Sequence, residues 1–296
     1  MAEHHNGRPI VACEISSERV IAARATRSHD SLEAFRSFSL PAGTVTPGLT
    51  SANIAGPEAL QQAISDALID IAGRNHDVVA ILPDAAVRVV LLDFETLPER
   101  PKEAESVVRF RLKKSLPFDV DKAAISYDTQ QTSAGLRVIA AVTVSSILQE
   151  YESAFRAAGY TPGVVVPSSL AALGSVDASR PTMVLKVDAG TITVAIVNRE
   201  QLLLFRTLEN VGHADISGER LSEDVYPSLV FFQDTYGVNV ERVLVAGVTS
   251  VQTIAGPLEA QTGARVDELV SSSVAGSGSH LPRGMLSGVV GALISQ

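Results

Sequence analysis

From Met183 to Val197 the chain reads MVLKVDAGTITVAIV, and one acidic turn separates two apolar runs. Both runs have the β-branched, apolar composition that is typical of strands. Asp188 and Gly190 form an Asp-x-Gly pair at the turn between them. Such a pair occurs in ordinary hairpins and also in turns that bind phosphate, so the turn alone leaves both interpretations open.

The phosphate interpretation depends on which groups the turn would present. An acidic side chain there can hold a hydrated Mg²⁺ that bridges phosphate oxygens. A glycine two positions later lets backbone N–H groups approach a phosphate, and a following hydroxyl adds a donor. The sequence offers Asp188, which is also the candidate metal ligand, together with Gly190, Thr191 and Thr193.

The beginning of the chain repeats this pattern. When Glu14 is aligned with Asp188, 188 − 14 = 174 residues later, VACEISSERVIAA matches LKVDAGTITVAIV. A third strand-like run follows in each half, LEAFRSFSL in the first and QLLLFRTLE in the second. The repeat favours an α/β protein with two related lobes around one cleft, although two short hairpins could produce the same pattern by chance.

A segment with its own order of elements separates the two halves: strand, helix, two strands, helix, strand. This order predicts an inserted α+β subdomain, which we place at 78–162. The first lobe is expected over 8–77, completed by 163–182 and a C-terminal helix at 284–296. The second lobe is expected over 183–283.

Local signals predict several helices. Proline and glycine at the two ends place one helix from Pro57 to Gly73. Ser145 is the expected N-cap of another helix in the insertion. The stretch beginning at Asn210 is expected to be partly helical, and Pro227 should start, kink or break that helix.

Composition limits the class of protein. At 296 residues the chain is about twice the usual length of one domain, and its net charge of −9 disfavours non-specific binding to nucleic acid. Its one cysteine, Cys13, can form neither an internal disulfide nor a cysteine metal cluster, which favours a reducing cytoplasm.

Membrane association is expected to come through a partner. The N-terminus lacks the charged-then-apolar pattern of a signal peptide. The apolar run from Met285 to Ile294 is about half of the roughly 20 residues that span a bilayer.

The motifs, taken in order, resemble the actin-like ATPase superfamily and, within it, the PilM proteins of type IV pilus assembly, which share the architecture of the cell-division protein FtsA. The resemblance covers nearly the whole chain. It is carried by the following stretches: VACEISSERV and VLKVDAGTITVAIV for the two phosphate motifs, VVVPSSLAAL for the connecting motif, VERVLVAGV for the adenosine motif, and AILPDAAVRVVLLDFETLP and RFRLKKSLPFDVDKAAISYD for the inserted subdomain.

The resemblance implies a bilobal actin-like fold, a duplicated ribonuclease H-like α/β fold, with an inserted α+β subdomain. It also implies ATP and Mg²⁺ as ligands. The residues carried over to this nucleotide site are Glu14, Ser16, Ser17, Asp188, Gly190, Thr191, Thr193, Gly212 and Gly247.

The same resemblance implies a cytoplasmic adaptor, peripheral to the inner membrane, that docks the N-terminal peptide of the membrane protein PilN near the inserted subdomain. Pilus motor ATPases and a second copy of the chain are further candidate partners. The residues expected at the docking surface are Arg109, Arg111, Lys113, Lys114, Pro117 and Phe118. Because this stretch is basic with interleaved apolar residues, it also fits the cationic face of an ordinary amphipathic helix.

Two departures from the family pattern concern the nucleotide. Glu14 and Ser16 stand where the first phosphate motif usually has Asp and Gly, and the Ser16 Cβ lies where a phosphate would approach. A single glycine, Gly247, stands where the adenosine motif usually has two. We therefore expect weak or lost ATP binding, in a pseudo-ATPase or a very slow ATPase.

Two alternative functions remain open. One is a small-molecule kinase or phosphohydrolase of the same superfamily, and the other is the cytoplasmic domain of a type II secretion assembly protein. An unrelated serine hydrolase is disfavoured, because Ser168 and Ser169 lack a G-x-S-x-G elbow and His76, His213 and His280 all fall in expected loops.

Overall fold

The computed structural model describes residues 10–210, 216–275 and 281–294. The strands in these residues are β1 (Val11–Ile15), β2 (Arg19–Ala25), β3 (Leu32–Ser39), β4 (Asp77–Leu82), β5 (Arg88–Phe94), β6 (Ala123–Thr132), β7 (Gly135–Val144), β8 (Thr161–Pro167), β9 (Thr182–Val187), β10 (Thr191–Asn198), β11 (Gln201–Glu209), β12 (Arg242–Ala246) and β13 (Arg265–Glu268). The helices are α1 (Pro57–Ala72), α2 (Pro101–Leu112), α3 (Ser145–Ala157), α4 (Ser168–Leu173), α5 (Gly218–Tyr236), α6 (Ala255–Thr262), α7 (Ser272–Ala275) and α8 (Ser287–Leu293).

Two five-stranded sheets share one topology. The first has the order β3-β2-β1-β4-β8 and the second the order β11-β10-β9-β12-β13. In each, three strands form an antiparallel meander and two further strands run parallel to the first strand of that meander. This common order confirms the expected duplicated α/β fold. It excludes two unrelated hairpins, because the parallel strands repeat as well.

The two meanders define a register that differs from the predicted one. The backbone N–H of Ser16 donates to the carbonyl of Arg19 at 2.9 Å, and the N–H of Asp188 donates to that of Thr191 at 2.8 Å. Counted from these turns, the repeat is 188 − 16 = 172 residues, so the predicted offset of 174 is wrong by two. Position 14 of the first lobe therefore corresponds to position 186 of the second, where the sequence has Lys186.

The inserted subdomain is built on a third sheet with the order β5-β7-β6. Side chains of this sheet and of α2 form one separate core, which includes Val108, Leu112 and Val138. β4 belongs to the first sheet and α3 packs into the first core. The sheet of the insertion with α2 therefore occupies 88–144, a shorter span than the expected 78–162.

The predicted helix α1 is confirmed, and the residue after it, Gly73, has a φ of 61°. Two other local predictions are corrected. Ser145 is the first residue of α3 and does not cap it, because Val144 holds the N-cap position in an extended conformation. α5 has the exposed Pro227 in its interior, so the proline neither starts nor breaks this helix.

Candidate functional site

The candidate site is a cavity of about 520 Å³ between the two five-stranded sheets. The turn after β1, the turn after β9 and the residue after β12 all open into it. Seven of the predicted nucleotide-site residues line it: Glu14, Ser16, Ser17, Asp188, Gly190, Thr191 and Gly247. Thr193 is buried beside it, and Gly212 lies outside the described residues.

Lys186 is at the centre of the site, and sequence reasoning did not select it. Its side chain is 4% exposed, and its Nζ lies 2.6 and 2.8 Å from the two carboxylate oxygens of Asp188. The same Nζ lies 3.8 Å from Glu14 Oε1 and 4.0 Å from Asp84 Oδ2. A lysine between apolar neighbours of a buried strand was the signal in the sequence, because such a charge requires partners.

Asp84 joins the two lobes. Its carboxylate accepts hydrogen bonds from the backbone N–H of Ser169 at 2.8 Å and from the Ser169 hydroxyl. Thr193 of the second sheet donates to Asp84 Oδ2 at 3.4 Å. The carboxylate therefore connects the end of β4, the start of α4 and β10.

Glu14 extends the same cluster towards the C-terminal helix. The Ser168 hydroxyl donates to its Oε1, whereas its buried Oε2 has no hydrogen-bond partner among the described residues. A Cβ added to Gly288 would lie closer than 3.0 Å to the Glu14 carboxylate. The glycine thus allows α8 to pass directly over the carboxylate.

Ser16 stabilises its own turn. Its hydroxyl accepts from the backbone N–H groups of Glu18 and Arg19 at 3.3 and 3.1 Å, and donates to the carbonyl of Arg19 at 3.1 Å. Ser16 is not among the residues with positive φ. In the register that the two turns define, Ser16 corresponds to Asp188 and Glu18 to Gly190, so the predicted match of Ser16 with the glycine of the motif is wrong.

The pKa values in the cluster follow from burial and charge. Burial raises the pKa of Glu14 and of Asp84, and the nearby Lys186 offsets only part of this rise. Burial lowers the pKa of Lys186, but Asp188, Glu14 and Asp84 outweigh it, so the pKa lies above its ordinary value. Lys186 therefore remains protonated throughout the physiological range.

The raised pKa of Glu14 predicts a pH-dependent stability difference. A carboxyl whose pKa is higher in the folded than in the unfolded state loses stabilisation as the pH rises through the folded pKa. We expect the free energy of unfolding of Glu14→Gln to rise relative to that of the wild type between about pH 5 and about pH 8. Urea unfolding at several pH values measures this. Glu33→Gln, at an exposed position of β3, controls for the loss of a carboxylate. A difference in unfolding free energy between Glu14→Gln and the wild type that stays constant with pH would contradict the expectation.

The predicted docking residues lie on and after α2, and both arginines among them have partners within the insertion. Arg109 donates to the carbonyls of Val120 and Ala123 at 2.8 and 3.2 Å, and it pairs with Glu105. The guanidinium of Arg111 lies 5.4 Å from the centroid of the Phe94 ring.

The other predicted docking residues differ in exposure. Lys113 is 3.4 Å from Asp121, Lys114 and Pro117 are exposed, and Phe118 packs partly buried against the core of the insertion. The surface they form is basic at its exposed positions.

A second cavity, of about 620 Å³, lies where the third sheet, α4 and the β10–β11 hairpin meet. We call it the junction groove. Its wall includes the half-buried apolar side chains Ile139, Leu170, Leu173 and Val176, and the exposed acidic residues Asp177 and Glu200 also line it. No local motif predicts the groove, because its walls come from separate parts of the chain.

The junction groove and α2 are on opposite faces of the third sheet. Along β7, Val138 and Ala140 pack in the core shared with α2, whereas Ile139 between them lines the groove. Successive side chains of a strand point to opposite faces. The basic stretch and the groove are therefore two separate candidate surfaces.

No protein-family model matches the chain, and no curated protein matches it significantly. A chain of the PilM-PilN type IV pilus biogenesis complex is similar over 96% of this chain and 97% of its own, with a TM-score of 0.80 at 20% identity. A Bacteroides thetaiotaomicron protein with actin-like ATPase fold and unknown function gives a TM-score of 0.54 at 12% identity, covering 90% and 93% of the two chains.

A third similar structure is the cytoplasmic domain of EpsL, an inner-membrane component of the type II secretion system of Vibrio cholerae. Its TM-score is 0.52 at 12% identity, covering 79% of this chain and 80% of that domain. At these identities the likenesses establish the fold, and they confirm the predicted bilobal actin-like architecture. None of the helices in the described ranges is both long and apolar enough to cross a membrane.

The sequence resemblance implies ATP and Mg²⁺ as ligands of the cleft, and the residues can be tested against the metal. Within 10–210, 216–275 and 281–294, no three Asp, Glu, His or Cys side chains are grouped so that they could hold a metal ion. Both oxygens of Asp188, the predicted metal ligand, already accept from Lys186. As arranged, these side chains hold the Lys186 ammonium where Mg²⁺ would need the Asp188 carboxylate.

Proposed function

We propose that the chain is an adaptor of a type IV pilus-like assembly platform at the inner membrane, where it binds the N-terminal cytoplasmic tail of a PilN-like membrane protein. The observation that carries this proposal is the likeness to the PilM-PilN complex, which extends over 96% of this chain with a TM-score of 0.80. The other actin-like structures compared above have TM-scores of 0.54 and 0.52.

The junction groove supports the proposal as the site for the tail. An extended peptide needs apolar pockets for some side chains and polar groups that fix its direction. The groove provides half-buried aliphatic side chains such as Leu173, with Asp177 and Glu200 among its lining residues. It therefore suits an extended segment with apolar side chains and a positive charge, such as a free α-amino group or a basic side chain.

The basic surface around Lys114 is the competing location for the same tail. Its exposed charges would favour an acidic segment, whereas the junction groove favours a basic one. We place the tail in the groove, because Arg109 and Arg111 already have partners within the insertion.

Binding of a labelled peptide tests the proposal and separates the two surfaces. The peptide is the N-terminal cytoplasmic segment of the PilN-like protein encoded in the same genome, and fluorescence anisotropy measures its affinity. We expect Leu173→Ala to weaken binding about tenfold, since truncation of a central anchor residue of an interface costs about 1 kcal/mol or more. Lys114→Ala on the opposite face is the matched control, and we expect it to bind like the wild type.

Several results would contradict this assignment. Absence of binding by the wild type would exclude the adaptor proposal for that partner. Weakening by Lys114→Ala alone would move the tail to the α2 surface. Thermal unfolding of both variants verifies that they fold, and the assay is run with and without Mg-ATP, because the adaptor role requires no nucleotide.

We also propose that ATP binding in the cleft is weak or lost. The support is the direct pairing of Lys186 with Asp188, which places a cation against both oxygens of the expected metal ligand. A kinase or phosphohydrolase of this superfamily would need an acidic group free to act on its metal or substrate. The arrangement around Lys186 therefore argues against that alternative.

A further inference from the structure

We propose that Lys186 is a built-in cation that takes the place of a divalent metal in the cleft, so that any anion bound there is bound without metal. This inference concerns the cavity between the two five-stranded sheets. It does not depend on where, or whether, a partner tail binds.

The first argument is geometric. The ammonium of Lys186 lies within 4.0 Å of carboxylates from both lobes, Asp188 of the second lobe and Glu14 and Asp84 of the first. A cation between carboxylates from two lobes occupies the place where a divalent ion would bridge them. The ammonium is fixed there, because it extends from the interior of β9 and its side chain is almost fully buried.

The second argument is the repeat itself. Measured from the two turns, Lys186 occupies the position that Glu14 holds in the first lobe. The two equivalent positions thus carry an acidic and a basic side chain. Lys186 Nζ lies 3.8 Å from Glu14 Oε1. The chain thus supplies both the anion and its counter-ion, one from each half of the repeat.

The third argument is the unpartnered oxygen of Glu14. An ammonium has three donors, and two of them are directed at Asp188. Glu14 Oε1 and Asp84 Oδ2 lie at 3.8 and 4.0 Å, outside hydrogen-bond range, and Glu14 Oε2 has no hydrogen-bond partner among the described residues. One ammonium therefore supplies a single positive charge to three carboxyl groups and leaves ligand capacity unused, as expected where it replaces an ion of higher charge and coordination number.

Removal of the ammonium should therefore create a metal site. Lys186→Ala keeps the three carboxyl groups and empties the space of the lysine side chain. Lys186→Met keeps the same carboxyl groups but fills most of that space. Mn²⁺ is the probe, and loss of its free electron paramagnetic resonance signal measures binding to the full chain. We expect Lys186→Ala to bind one Mn²⁺ at least tenfold more tightly than the wild type and than Lys186→Met. The double variant Lys186→Ala/Asp188→Asn should lose that gain.

Two results would overturn the proposal. One is a wild-type protein that binds Mn²⁺ with an affinity that Asp188→Asn lowers, since the carboxylate would then hold metal despite Lys186. The other is a folded Lys186→Ala variant that binds Mn²⁺ no better than the wild type. If Lys186→Ala unfolds without metal, recovery of its thermal transition by Mn²⁺ supports the proposal. If Lys186→Ala does not fold with metal either, the Mn²⁺ affinities of the wild type and Asp188→Asn decide. Equal affinities support the proposal, and a lower affinity in Asp188→Asn overturns it.

Discussion

Gly247→Ala is expected to lower the free energy of unfolding by at least about 3 kcal/mol, because two independent penalties coincide at this residue. Gly247 has a φ of 81°, in the left-handed region that disfavours side chains. An added Cβ would also lie closer than 3.0 Å to the carbonyl oxygen and carbon of Val187. Those atoms belong to the backbone of β9 and cannot move aside as a flexible side chain could.

The backbone of Gly247 is also held on the side away from β9, so it cannot easily move to make room for an added Cβ. Its N–H donates to the carbonyl of Gly284 at 3.1 Å, which holds the segment leading into α8 against the end of β12. A shift of Gly247 away from β9 would strain or break this bond. The expected loss is a large part of the roughly 5–15 kcal/mol that stabilise a typical domain.

Gly190→Ala is the matched control for Gly247→Ala. Gly190 does not have positive φ, and an added Cβ would meet nothing within 4 Å. We expect a change within about 0.5 kcal/mol, measured for both variants by urea unfolding followed by circular dichroism. Equal destabilisation by the two substitutions would show that the contact with β9 is not what makes Gly247 necessary.

The sequence was sufficient to predict the architecture because that information is local and repeated. Each meander is specified by apolar alternation and a polar turn, and the same pattern occurs twice in the chain. The helix from Pro57 is likewise specified by its own spacing of apolar residues and by Gly73. Such features need no knowledge of the partners they meet in the folded protein.

The centre of the site could not be predicted in the same way, because its partners are distant in sequence. Lys186 meets Glu14 and Asp84, and the offset of the repeat had to be known to two residues before positions 14 and 186 could be matched. The turn hydrogen bonds fix that offset, and no sequence pattern does. The passage of α8 over Glu14 at Gly288 is a contact of the same long-range kind.

Lys186→Met is expected to cost about 3–5 kcal/mol of unfolding free energy, the usual range when one partner of a buried ion pair is removed. Methionine is unbranched like lysine and lacks only the terminal ammonium position, so little packing is lost and the effect is mainly electrostatic. The variant leaves the buried carboxyls of Glu14 and Asp84 next to Asp188 without a compensating charge. Lys114→Met, on the exposed surface after α2, is the control, and we expect a change within about 0.5 kcal/mol.

The pKa values of the two buried carboxyls determine how the destabilisation by Lys186→Met should vary with pH. The pKa values of Glu14 and Asp84 are already raised by burial, and removal of the ammonium raises them further. Since a carboxyl with a raised folded-state pKa loses stabilisation as the pH rises, the cost of Lys186→Met should be larger at about pH 8 than at about pH 5. Combining Lys186→Met with Glu14→Gln and Asp84→Asn should recover much of the loss, because the uncompensated charges are then absent. If Lys186→Met cost the same in that background as in the wild type, Lys186 would act independently of the two carboxyls, and its role as their counter-ion would be wrong.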